Sequence, residues 1–204
     1  MKKTKDRLGR SVIWRGFYKV LAERFGPVPA RAVWRQANAR VERLQALHPD
    51  LDTDSRLMVL PAAALYGALE QHAPGQALPL LRAYGTRVGE HIAGVVRGVT
   101  ALPGLPELLW RNMPALMRTM SSPEKGYARR IVSETAELVG VDILTCPLHA
   151  AAVTLGVPEA AQAVCAMDKA YMTGFRRIRY TRTTSVAEGA DCCDYRLRYD
   201  REKG

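Results

Sequence analysis

In "ARAVWRQANARVERLQALH" the apolar residues Val33, Trp34, Ala37, Val41, Leu44 and Leu47 recur at three- and four-residue steps, with arginines on the opposite side. That spacing predicts an amphipathic helix with one buried stripe and one wet face. Three more helices follow by the same reasoning. "TDSRLMVLPAAALYGALEQH" offers Thr53 or Asp54 as its N-cap and Pro61 as a start or kink. "QALPLLRAYGTRVGEHIAGVVRGV" and "PELLWRNMPALMRTM" are separated by the breaker "TALPGLP". Met113, Met117 and Met120 share one side of the last helix and read as core packing rather than cofactor contacts.

The pattern changes near Ser121. "SSPEKG" is a turn cluster, and the β-branched residues of "RRIVSETAELVGVDILTC" predict two strands or one bent strand. Pro147 and Pro158 then stand at first helical positions and open two short helices. In "RRIRYTRTTSV" Ile178, Tyr180, Thr184 and Val186 alternate with polar residues, and a turn containing Gly189 leads to a returning strand. On that strand Cys193, Tyr195, Leu197 and Tyr199 fall on one face, with Cys192, Asp194, Arg196 and Arg198 on the other. The adjacent cysteines therefore cannot act as a pair. The expected fold is α+β: a helical N-terminal half packed on a small antiparallel sheet, with two short helices between strand pairs. The expected division is a helical region 1–120 and an α+β region 121–204, forming one continuous globular unit.

Composition adjusts this picture in two places. The net charge is +10, of which residues 1–50 supply +8, from twelve Lys and Arg against four Asp and Glu. With no recognisable nucleic-acid module, this excess reads as a solvated basic face rather than a nucleic-acid surface. Charges interrupt every apolar run, so neither a secretory leader nor a spanning helix is expected, and the chain reads as soluble and cytoplasmic, without a membrane partner. An oligomer is left open. The four cysteines then read as free thiols rather than a disulfide framework.

Where could chemistry sit? Cys146 precedes Pro147 at a helix start, where unpaired N–H groups and the dipole favour a thiolate, and His149 lies one turn on. The alternative is a small buried hydrophobe at a strand end. Ala161, Val164, Cys165, Asp168, Tyr171 and Met172 form an inward stripe that Asp168 interrupts. A buried carboxylate must find a partner, shift its pKa or coordinate something. Arg182 interrupts the apolar face of the hairpin in the same way. It suits either a salt bridge with Asp168 or a substrate carboxylate, unless it lies at a sheet edge with its head in water. Zinc held by Cys146, His149, Cys165 and Cys193 is an alternative, although the spacings lack the tight chelating pairs of a structural site. No phosphate loop or Gly-x-Ser-x-Gly elbow is present.

The stretch from Gly126 to Leu197 resembles the L-2-amino-thiazoline-4-carboxylic acid hydrolase family. The resemblance rests on "DILTCPLHAAAVTLGVPEAAQAVCAMDKAYMTGF" and "RYTRTTSVAEGADCCDYRL". It carries over onto Cys146, Cys165, Asp168, Gly189, Cys193 and Asp194, with Tyr195 as the aromatic. The helical stretch from Pro61 to Gly94 is similar more loosely, and Cys192 falls at a variable position. What this implies is a cofactor-independent hydrolase that opens a cyclic amidine-like ring of a small, amino-acid-derived substrate. Cys146 or Cys193 would be the nucleophile, with Cys165 beside them, Asp168 the acid/base or orienting group, and Asp194 a supporting carboxylate. Arg182, with His149 and Tyr171, would bind substrate. Asp194, facing away from Cys193, equally suits bracing the hairpin backbone. The alternative function is a non-catalytic small-ligand or metal-binding module with a cysteine-lined pocket.

Overall fold

Pro27 and Pro29 fit the first turn of a helix, where no intrahelical N–H is needed, and from there α3 (Pro27–Leu47) runs 21 residues. A computed structural model describes residues 6–200. The short α1 (Arg7–Arg10) and α2 (Phe17–Phe25) precede α3. Val33, Ala37, Val41 and Leu44 bury the expected stripe, but Leu47, at the last turn, is exposed. Asn38 interrupts that stripe and is satisfied. Its side-chain oxygen accepts the Leu8 N–H at 3.0 Å, and its amide donates to the Trp34 carbonyl at 3.0 Å.

The next helix is capped one residue earlier than Thr53 or Asp54, because the Asp52 carboxylate accepts the Ser55 N–H at 2.9 Å, three residues on. It opens with a π-helical turn, Ser55–Val59, and passes into α4 (Leu60–His72). Pro61 stands where the two geometries meet. Its missing N–H falls at the start of the α-helical stretch, where the wider turn before it already displaces the hydrogen-bond ladder.

Later come α5 (Ala77–Val99), α6 (Leu105–Met120), α7 (Pro147–Thr154) and α8 (Ala160–Tyr171). Pro147 opens α7 as expected, whereas Pro158 stands two residues ahead of α8. The strands are β1 (Ala128–Glu134), β2 (Leu138–Thr145), β3 (Ile178–Thr181) and β4 (Cys193–Tyr199). They pair antiparallel in the order β1-β2-β4-β3, with α7 and α8 between β2 and β3. The fold is α+β. No helix among the described residues is long and apolar enough to cross a membrane.

The structure forms two compact units, the chain up to Gly85 with Ala150–Val164, and Thr86–His149 with the chain from Cys165 onward. In the second, Met113 and Met117 of α6 bury against Val139, Val141, Ile143, Cys193 and Leu197 of the sheet. Stretch 86–120 therefore goes with the strands despite its helical composition, because the apolar face of a sheet must be covered. Met120, one turn past Met117, is 45% exposed and leaves the core. Gly89 sets the position of α8, since a Cβ there would lie 2.3 Å from the Met167 carbonyl oxygen.

The strand pairing of the hairpin stops earlier than alternation predicts. β3 ends at Thr181 instead of running toward Val186, because the Asp194 carboxylate takes hold of the next two residues. It accepts the N–H groups of Thr183 and Thr184 at 2.8 and 2.7 Å and their hydroxyls at 2.6 and 2.9 Å. Four such bonds compete with ladder pairing for the same backbone. A short 3-10 turn, Val186–Glu188, and Gly189, with φ of 89°, complete the connection.

Candidate functional site

Leaving the ladder at Thr181 turns Arg182 inward. The residue is 7% exposed, and both terminal nitrogens of its guanidinium donate hydrogen bonds. Nη1 donates to Asp168 Oδ2 at 3.0 Å and to the Tyr195 hydroxyl at 3.1 Å, while Nη2 donates to the Cys165 carbonyl at 2.9 Å. The charge also lies over the Tyr195 ring, 5.5 Å from its centroid. Arg182 is thus the salt-bridge partner of Asp168. Three of its five N–H donors are thereby held by protein groups, and Arg182 is not among the residues lining a cavity beside Asp168.

Asp168 is the centre of this group. The Tyr195 hydroxyl donates to the same Oδ2 at 2.7 Å. Burial pushes the carboxyl above the ordinary carboxylate range, outweighing the downward pull of the Tyr195 hydrogen bond and the Arg182 charge. The side chain keeps 27% of its surface and lines that cavity. The cavity measures about 110 Å³. Its apolar lining includes Met113, Met117, Ile143 and Phe175, and its polar lining is Ser121, Tyr127, Asp168, Tyr171 and Tyr195. Burial raises the hydroxyls of Tyr171 and Tyr195 as well, with Asp168 adding to the effect, so both remain protonated donors. Arg182 keeps its charge: burial works against it, but Tyr195, Tyr180 and Asp168 prevail.

The thiols lie within electrostatic reach of one another. Cys146 accepts the N–H groups of His149 and Leu148, as its place before α7 predicts, yet burial prevails and its pKa rises. This corrects the expected thiolate: helix-start donors help an ionised sulfur only as far as desolvation allows. Cys165 is pushed up by burial to about 12. The Ser185 hydroxyl lies 3.8 Å from the sulfurs of both Cys165 and Cys193 and links them, and the Val186 N–H donates to Cys193 at 3.3 Å. Neither Cys146, Cys165 nor Cys193 is on the cavity wall. His149 reaches the group through its backbone N–H to Cys146. Among the described residues no three His, Cys, Asp or Glu side chains are grouped to hold a metal ion.

Asp194 belongs to the opposite face of the sheet. Its four hydrogen bonds to Thr183 and Thr184 outweigh burial and hold its carboxyl far below the usual range. On that face Asp142, 3% exposed, lies between Arg130 Nη2 at 2.7 Å and Arg196 Nη2 at 2.8 Å. This triad escapes sequence reasoning, although an acid inside "LVGVDILT" was its visible signal. Two members of the Asp168 group have no site role from the sequence. Tyr195 enters only as the aromatic of the family resemblance, although it shares the strand face of Cys193. Ser185 lies in an aperiodic connection and carries no such signal. The Tyr180 hydroxyl is buried there without a hydrogen-bond partner, 5.7 Å separating its ring centroid from that of Tyr195.

Comparison with known proteins adds the family. Solved structures similar to this chain include the Fe(II) unliganded H-NOX protein from K. algicida, at 10% identity and TM-score 0.40, covering 94% of this chain and 97% of that one. A mutant of the same protein is similar at 12% identity and TM-score 0.38, with the same coverage. Both likenesses are too loose to carry chemistry across. No curated protein matches. The family model described as L-2-amino-thiazoline-4-carboxylic acid hydrolase matches residues 54–197. That span takes in most of the chain and the whole Asp168 group, and the chain belongs to the L-2-amino-thiazoline-4-carboxylic acid hydrolase family.

Proposed function

We propose that this protein hydrolyses the ring of a small 2-aminothiazoline carboxylate, with Asp168 as the proton shuttle. What carries the reading is one observation: a carboxyl made hard to ionise lines a largely apolar cavity in which it is the only acidic or basic group among the described lining residues. A group of that kind suits acid and base work near neutral pH. At about 110 Å³ the cavity is on the scale of a compact heterocycle.

In this scheme neutral Asp168 gives its proton to the ring nitrogen and, as a carboxylate, takes one from the water that bonds to the carbon between nitrogen and sulfur. The carbon–sulfur bond then breaks, with its electron pair leaving on sulfur. Asp168 protonates that sulfur and recovers the hydroxyl proton as the new carbonyl forms. Two protons are given and two taken, so the carboxyl ends as it began. Arg182 and Tyr195 steady the transient carboxylate, and Tyr171 offers its hydroxyl to the substrate. Cys146 and Cys165, held protonated and off the cavity wall, have no part in bond making here.

The test is release of free thiol from 2-amino-thiazoline-4-carboxylate, followed with a chromogenic thiol reagent. Asp168→Asn should cut turnover by about a hundredfold or more, while Cys146→Ser should stay within about tenfold of the parent. Equal turnover by the parent and Asp168→Asn would remove the shuttle. Saturable binding without thiol release would favour a ligand-binding module instead.

A further inference from the structure

The first compact unit contains a second cavity that the ring-opening reading leaves unused. It measures about 530 Å³, within the range of small-molecule sites, roughly 300–1,000 Å³. Leu8, Val41 and Leu60, all buried, form its floor. Val12 and Leu57 stand at its sides, 84% and 57% exposed. These two aliphatic side chains offer the cavity's accessible apolar surface, which a bound apolar group would remove from water.

The rim has one sign of charge. Arg7, Arg10 and Arg56 line the cavity, and no Asp or Glu does. Arg7 is partly balanced by Glu42 at 4.0 Å, and Arg56 donates to the Pro49 carbonyl. Arg10 is exposed, and no hydrogen bond or ion pair joins it to another described residue. The wall itself carries a further sign. Arg56 and Leu57 belong to the π-helical turn Ser55–Val59, a rare geometry that gathers at functional sites. Here the turn brings one cation and one aliphatic side chain to the same edge.

We propose that this cavity binds an anionic amphiphile, a free fatty-acid carboxylate with its acyl chain between Val12 and Leu57, above the Leu8–Val41–Leu60 floor, and its head at Arg10 and Arg56. An apolar floor alone would accept any greasy molecule, and an arginine rim alone any anion. Together they select a ligand that carries both at once, joined end to end. The site also gives a use to part of the basic excess of the first 50 residues.

Isothermal titration of the whole protein with dodecanoate, kept below its micelle concentration, reads this directly. Saturable one-to-one binding is expected. Acetate, which lacks the tail, and dodecanol, which lacks the charge, should each bind at least about tenfold more weakly. Arg10→Gln should weaken dodecanoate by about tenfold through the lost charge, and Val12→Asp by more, by placing a carboxylate on the wall. Both positions are exposed, so the folded state should tolerate the changes, which a thermal melt confirms. Dodecanol binding as tightly as dodecanoate, unchanged affinity in both variants, or binding confined to vesicles of anionic lipid would each overturn the proposal. Turnover of the thiazoline substrate is a separate readout, so failure here leaves the Asp168 scheme standing and the reverse also holds.

Discussion

Cys165 shows how strongly one side chain is governed by its surroundings. Nothing covalent distinguishes it from a surface thiol, but burial lifts its pKa to about 12 even though the Arg182 charge and the Ser185 hydroxyl pull it down. A free thiol titrates near 8.5, so at pH 8 Cys165 should react with iodoacetamide about a thousandfold more slowly than a model thiol. Peptide mass spectrometry over time measures this, and rapid labelling of Cys165 in the folded protein would contradict the burial argument. The same balance shows which residues a reader of the sequence can find. Asp168 is legible because it interrupts an apolar stripe of known period. Cys146 is misread because a helix start is visible in sequence, while the desolvation that overrides it depends on what packs around the sulfur. Ser185 leaves no trace, since its contacts with two sulfurs come only from the folded path of the connection.

At the scale of an element, the connection between β3 and β4 is decided by a competition that alternation cannot register. Period-two patterning continues past Thr181, but the Asp194 carboxylate offers Thr183 and Thr184 four bonds in place of a ladder. The carboxyl is depressed in the folded protein and ordinary in the unfolded chain. Its contribution is therefore present above about pH 4, the unfolded value, and fades as pH falls through the depressed one. Asp194→Asn should cost about 1 kcal/mol at pH 7, a modest figure because the site is partly exposed. Urea denaturation at pH 7 and near pH 3 should show the difference shrinking with acid. A gap of constant size across that range would mean the charge is immaterial.

For the molecule as a whole, the boundary is set by coverage of the sheet rather than by where helical sequence ends. The change of pattern near Ser121 is real, and the order of strands and short helices after it is legible from turn residues and prolines. What the pattern omits is that Met113 and Met117 of α6 face the strands. A fragment of residues 121–204 would leave that apolar face bare. It should therefore lack a cooperative thermal transition and bind 8-anilinonaphthalene-1-sulfonate, as loosely packed states do. A sharp melt from this fragment would show that the sheet stands without α6.

The four-bond clamp also has a practical side. Arg182 and Ser185 take their places immediately around it, whereas Glu188, Gly189 and Asp191 lie beyond, at an exposed tip. Extending a loop at such a tip adds little closure entropy, about 0.6 kcal/mol for each doubling of length. A reporter peptide or a dye-bearing cysteine could therefore be spliced in beside Gly189 while the buried arginine stays anchored.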